Sequence, residues 1–274
     1  MGLRPTGLAP SCAPSEIVGF QPYRGSITRL SLRTEDVHVW SACLDVDPSS
    51  VPVLEQALND EERGRAQRFH RDGDRADFIV AHYVLRSILG RYREIGPEHL
   101  RFRYGPHGKP YLVQEEGRPA VCFNLSHSNR MMLCAMTRER EIGIDIEHVR
   151  PKFASLEVAE RFFAPGEVAA LRALPDERFA AAFFACWTRK EAYIKARGEG
   201  LSHPLDTFEV SVVPGSRRVG LQTYDDPHEA SRWSLQDLSP MAGYVGAIAV
   251  QGRGHDISYW QWPTSEYRQV KPSA

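Results

Sequence analysis

The 274-residue chain has little of what usually announces a function. Its five cysteines (Cys12, Cys43, Cys122, Cys134, Cys186) show no Cys-x-x-Cys spacing, which argues against a zinc ribbon or a disulfide framework and for free thiols in a reducing compartment. No apolar run approaches the roughly 18 residues of a membrane helix, and the N-terminus lacks the apolar core of a secretory signal. Met1, Gly2 and Thr6 fit the loose myristoylation pattern, which is too unspecific to carry an argument beside Pro5. A cytoplasmic protein away from the membrane is expected. Charge of one sign is also missing: 34 Lys and Arg face 35 Asp and Glu, for a net charge of −1. A nucleic-acid surface or an acidic tail is therefore not implied.

The length suits one large domain or two ordinary ones. Residues 1–34 mix Pro, Ser and Gly with little periodicity and read as a flexible tail, as do residues 263–274. Between them, strands are expected at Val37–Leu44, Val121–Ser126, Met131–Thr137, around Gly143, and at Phe208–Val213, Trp233–Leu238 and Tyr244–Val250. Helices are expected over Val51–Phe69, Asp74–Tyr92, Leu156–Leu174 and Phe179–Ala196. The elements cluster and do not alternate regularly, which is an α+β pattern. Their order is similar in the two halves, although no repeat is evident residue by residue.

Three segments carry chemistry. In Gly143-Ile144-Asp145-Ile146-Glu147 the acids alternate with isoleucines, so a strand sends both carboxylates to one face, either solvent or a site. In Trp187-Thr188-Arg189-Lys190-Glu191-Ala192-Tyr193-Ile194-Lys195 the residues Trp187, Glu191 and Lys195 recur every fourth position and share a helix stripe. Taken alone, each segment is more often a solvated face or a surface ion pair. The apolar run from Phe179 to Trp187 buries that helix, however, and charges at the end of a buried helix need partners. Together the two segments offer three carboxylates for a hard divalent cation and an amine for phosphate. The third segment, Phe123-Asn124-Leu125-Ser126-His127-Ser128, ends a strand with hydroxyls and an imidazole able to donate to an anion, or forms a polar turn. A Ser/His/Asp triad fits poorly, because the Gly-x-Ser-x-Gly elbow is missing and Ser126 and His127 point apart on a strand. Lys109 sits in the turn-rich Gly105–Pro110, and Arg63, Arg65, Arg68, Arg71 and Arg75 make one helical stretch basic. Guanidinium groups match phosphate oxygens bidentately.

Asn124 to Ser128, Gly143 to Glu147, and Trp187-x-x-Lys190-Glu191-x-x-x-Lys195, in this order, resemble the 4′-phosphopantetheinyl transferases, specifically the two-lobed Sfp-type group. The likeness runs from about Leu58 to about Val250 and includes Arg68-Phe69-His70, Gly108-Lys109-Pro110, Arg161-Phe162-Phe163 and Gly198 to Leu201. The resemblance implies two similar lobes related by a pseudo-twofold, at residues 35–140 with coenzyme A contacts and 141–262 with the metal site, and a monomer. It implies Mg²⁺-dependent transfer of the phosphopantetheine arm of coenzyme A to a serine of an apo acyl or peptidyl carrier protein, releasing adenosine 3′,5′-bisphosphate. Asp145, Glu147 and Glu191 would hold the metal. Glu191 would be the base and Lys195 would stabilise the transition state. Ser126, His127, Lys109 and Lys190 would contact the coenzyme. Basic residues expected in the first lobe for the 3′-phosphate are replaced by Glu62 and Asp77, leaving Arg65 and Arg75 as the nearest substitutes. A non-catalytic carrier-binding module is the alternative. A metal-dependent nuclease is the weaker one, since those sites need Glu-x-Lys on a strand.

Overall fold

The computed structural model describes residues 19–23, 30–114, 117–215, 219–226 and 228–268. Its strands are β1 (Gln21–Pro22), β2 (Asp36–Cys43), β3 (Phe102–Tyr104), β4 (Pro110–Leu112), β5 (Val121–Ser128), β6 (Met131–Arg138), β7 (Ile142–His148), β8 (Phe208–Val210), β9 (Leu221–Thr223), β10 (Trp233–Leu238), β11 (Tyr244–Gln251) and β12 (Asp256–Gln261). The helices are α1 (Val51–Leu54), α2 (Asp60–Ala66), α3 (Asp72–Arg93), α4 (Leu156–Phe162), α5 (Pro165–Arg172) and α6 (Asp176–Arg197).

The same unit occurs twice. A strand (β2 or β7) leads through short helices to a 22-residue helix (α3 or α6), and an antiparallel hairpin follows (β5-β6 or β10-β11). The second strand of each hairpin pairs back with the first strand of its unit. The sheets are therefore β1-β12-β2-β6-β5 and β10-β11-β7. Side-chain alternation explains the layering. On β2, Trp40 and Ala42 pack into the core under α3, while Val37 and Val39 meet Ile142, Ile144 and Ile146 of β7 in a core between the two sheets. A third core lies under α6.

Each lobe also contains the same buried latch. Arg86 of α3, fully buried, donates to Glu62 Oε2 (2.6 Å) and to the carbonyls of Pro97 and Leu100 (2.6 and 3.2 Å). Lys190 of α6, fully buried, meets Glu167 Oε2 (2.8 Å) and the carbonyls of Leu205 and Phe208 (2.7 and 2.6 Å). Each acid in turn accepts an N-cap amide, Asn59 N (3.0 Å) or Ala164 N (2.9 Å). A buried charge needs a counter-charge and hydrogen bonds, and each of these cations has one carboxylate and two carbonyls.

Four expectations need adjusting. The basic stretch Arg63–Arg75 is not one helix: Asn59 caps α2, which ends at Ala66, and α3 starts at Asp72. The strand expected at Phe208–Val213 ends at Val210. The second lobe does not run to 262, because β12 pairs in parallel with β2 of the first sheet. Arg91 pairs with Glu266 (2.6 Å) and Tyr267 Oη donates to Cys43 O (2.8 Å), so the chain returns to the first lobe through 268. Of the expected tails, residues 1–18, 24–29 and 269–274 lie outside the described residues; Phe20 and Leu30 are buried. Among the described residues no helix is long and apolar enough to cross a membrane, and Cys122, Cys134 and Cys186 are free thiols.

Candidate active site

Strand β7 and helix α6 build the centre. Gly143, Asp145 and Glu147 share the face of β7 that α6 crosses, and a Cβ at Gly143 would overlap the backbone of Ala192 and Ala196. Glycine at 143 thus lets α6 approach closely enough to bring Glu191 and Lys195 over the acids. Lys195 Nζ reaches Asp145 Oδ1 at 2.5 Å, Ser126 Oγ at 3.2 Å and the Ile144 carbonyl at 3.5 Å. Strand β5 lies beside β7 and is joined to it by side chains in place of a backbone ladder. Ile144 N donates to Asn124 Oδ1 (2.9 Å), Ser126 Oγ to Asp145 Oδ1 (2.7 Å), Ser128 Oγ to Glu147 Oε2 (2.8 Å) and His148 N to Ser128 Oγ (3.2 Å).

The acids feel one another. Burial pushes Glu191 up to about 7; Lys195 opposes this, and the charges of Asp145 and Glu147 add to it. Glu147 is likewise raised by burial and by Asp145, against the Ser128 hydrogen bond and the charges of Arg150 and Lys195. Asp145 Oδ2 is buried with no hydrogen-bond partner. Among the described residues no three His, Cys, Asp or Glu side chains stand at metal-holding separations, and the cation beside Asp145 is the Lys195 ammonium. An unpartnered buried carboxylate oxygen, together with two neighbouring acids raised first by burial and then by the charge of Asp145, nevertheless fits a hard divalent cation with oxygen ligands.

The remaining expected residues scatter. Ser126 is committed to Asp145. His127 faces the other way, toward α3; burial lowers its pKa to about 4, and the charges of His82 and Lys195 push in the same direction, against Asp74. Lys109 is buried, its Nζ held by Glu141 Oε2 (2.5 Å), Ala196 O (2.8 Å) and Ile142 O (3.3 Å), so it joins the first lobe to the second with no donor left over. Lys190 is taken up by its latch. Arg65 is exposed, 5.7 Å from the Phe78 ring, and Arg75 pairs with Glu55 (3.2 Å). Sequence reasoning missed Ser128 and Asn124 as positioners of the acids, although their spacing with Ser126 marks one polar strand face. A 460 Å³ cavity lined by Trp233, Gln236, Arg253 and His255 contains none of these residues.

Comparison with known proteins shows the family. A family described as the 4′-phosphopantetheinyl transferase superfamily matches residues 141–249, and one described as 4′-phosphopantetheinyl transferase, N-terminal, matches residues 47–139. The chain is 39% identical over 233 residues to the 4′-phosphopantetheinyl transferase HetI of Nostoc sp., covering 85% of this chain and 95% of that protein. It is 35% identical over 153 residues to the 4′-phosphopantetheinyl transferase Sfp of Bacillus subtilis, covering 56% of this chain and 66% of that protein. The chain belongs to the 4′-phosphopantetheinyl transferase superfamily, in the group of HetI and Sfp, and is a transferase of that kind.

Proposed function

We propose that the protein transfers the 4′-phosphopantetheine arm of coenzyme A to a serine hydroxyl of an apo acyl or peptidyl carrier protein, as a cytoplasmic monomer. The observation that carries this reading is Asp145 itself, whose Oδ1 takes Lys195, whose buried Oδ2 has no partner, and whose charge acts on both Glu147 and Glu191. Asp145, Glu147 and Glu191 would hold Mg²⁺, which when bound supplies charge neutralisation at the pyrophosphate. The carrier serine oxygen attacks the phosphorus that bears the pantetheine arm, the bond to the adenosine bisphosphate breaks, and the serine proton passes to a base. Glu191, with a pKa near neutrality, suits that base. Lys195 is placed to meet the negative charge that grows on the phosphoryl oxygens during displacement. Ser126 and Ser128 keep the two strand acids in position by donating to one oxygen of each.

The test is to incubate the protein with coenzyme A, Mg²⁺ and a panel of apo-carriers and to weigh the products. A gain of one phosphopantetheine mass on a carrier serine is expected, and it should vanish when the metal is chelated. Carriers that all stay at their apo mass would sink the reading.

A further inference from the structure

Setting the two lobes side by side isolates one side chain that the fold does not require. His82 and Cys186 occupy the same place, each four residues before the buried cation of a 22-residue helix. Cys186 lies against Glu167; its thiol is pushed well up by burial, and by the charge of that carboxylate and a hydrogen bond with it. His82 Nδ1 lies 3.0 Å from Glu62 Oε1. The second lobe therefore completes its latch with a small neutral thiol, so the imidazole of the first lobe is surplus to packing.

The surplus ring is held firmly and aimed. Burial would push Glu62 up, yet the hydrogen bond from His82 and the charges of His82 and Arg86 bring it below its ordinary value. An ionised carboxylate only accepts, so Nδ1 carries a hydrogen, and Nε2 faces an anion as a donor once it too is protonated. Phe78 stacks on the ring, 4.0 Å between centroids at 27°. Alternation along β5 sends His127 to this same side, with Phe123 and Leu125. His127 then has His82 on the first-lobe side and Lys195 on the second, with Asp74 the one acid that acts against them. His82 and Lys195 thus both bear on His127, and basic groups outnumbering acids about one place favour an anion.

We propose that His82 is a donor-binding residue that, as the imidazolium, donates from Nδ1 to Glu62 and from Nε2 to a phosphate oxygen of coenzyme A beside His127, with Glu62 fixing the ring. The inference rests on the transfer reaction proposed above. Glu62, an acid where a basic residue is expected, then serves phosphate recognition through its neighbour.

Two variants test it. His82→Cys copies the second lobe and preserves the latch, while His82→Asn keeps a donor for Glu62 and removes Nε2. With carrier saturating and coenzyme A varied, both should raise KM for coenzyme A about tenfold or more, the usual effect of a lost phosphate contact. Turnover should stay within about threefold and the melting temperature within a few degrees, because the contact exists equally in ground and transition states. An unchanged KM in both variants overturns the inference. So does recovery of wild-type KM by His82→Asn alone, which would reduce the role to holding Glu62. If the wild type itself transfers nothing, the reaction reading fails separately. Calorimetric binding of coenzyme A, expected to weaken by the same factor in both variants, then decides the site without turnover, and equal affinity would overturn it.

Discussion

At the scale of single residues, the roles proposed for the polar groups divide by when their charges would meet the substrate. On the reading proposed above, Asp145→Ala removes a metal carboxylate and should lower transfer at limiting Mg²⁺, with excess Mg²⁺ restoring part of it. Glu191→Gln keeps the size but loses the base, so raised metal should help it less. A Mg²⁺ titration of both variants checks the contrast, and near-wild-type transfer by both at low metal would mean the site is elsewhere. Lys195→Ala should mainly lower turnover, by on the order of ten- to a hundredfold, since it opposes charge that develops during displacement. His127→Ala should instead raise KM for coenzyme A. Asp77 makes a residue-level prediction about pH. Burial pushes its pKa up to about 6, against Arg130, whose Nε is 3.7 Å away, and with help from Asp74 and Asp45. Because the folded pKa lies above the unfolded one, folding favours the protonated acid, and stability from this group falls as pH rises through about 4 to 6. Asp77→Asn should therefore stabilise the protein at neutral pH by about 1 to 2 kcal/mol, discounted for solvent screening, and by almost nothing at pH 4. Thermal melts at the two pH values measure the difference.

At the scale of elements, the site's two main pieces were legible because their patterns are local. The alternation of Ile144 and Ile146 with Asp145 and Glu147 is a strand's own period, and the stripe Glu191, Lys195 is a helix's. Which face of that helix is buried by charge was not legible. Lys190 stands next to Glu191, yet its fate depends on Glu167 and on two carbonyls from a later loop. The Asn-Leu-Ser-His-Ser segment reads as an anion site, whereas its serines serve the neighbouring strand. No local rule pairs β5 with β7, because the contact crosses from lobe to lobe. Two substitutions follow from the packing of these elements. Gly143→Ala puts a methyl into the backbone of α6 and should cost about 3 kcal/mol or lift the helix from β7. Loss of transfer with a lowered melting temperature is the expected outcome, and a fully active Gly143→Ala would contradict the close approach. Lys190→Met leaves Glu167 buried and unpaired, a loss of about 3 to 5 kcal/mol. The double variant Lys190→Met with Glu167→Gln should recover part of that stability in denaturant titrations.

At the scale of the molecule, the duplicated units are not equivalent, and the difference explains where the chemistry sits. Position for position along the two long helices, Ser87 and Arg91 of α3 stand where α6 carries Glu191 and Lys195, and Arg91 is spent on Glu266 and the Trp262 ring. In the proposed reaction one lobe supplies the acids and the other is free to supply phosphate contacts, so the relative placement of the lobes would matter to catalysis. Three features hold that placement: the apolar core between the sheets, the polar stitching of β5 to β7, and Lys109. The resemblance assigns Lys109 to the coenzyme. In the structure its ammonium is used up on Glu141 and on the carbonyls of Ile142 and Ala196, the latter at the C-terminal end of α6, where a cation is favoured. A staple and a ligand contact fail differently. If Lys109 is a staple, Lys109→Ala should lower stability by about 1 to 3 kcal/mol, speed amide exchange at the end of α6, and reduce turnover more than it raises KM for coenzyme A. If Lys109 instead leaves its partners to bind the donor, KM will rise about tenfold or more, with the melting temperature and the exchange at Ala196 unchanged.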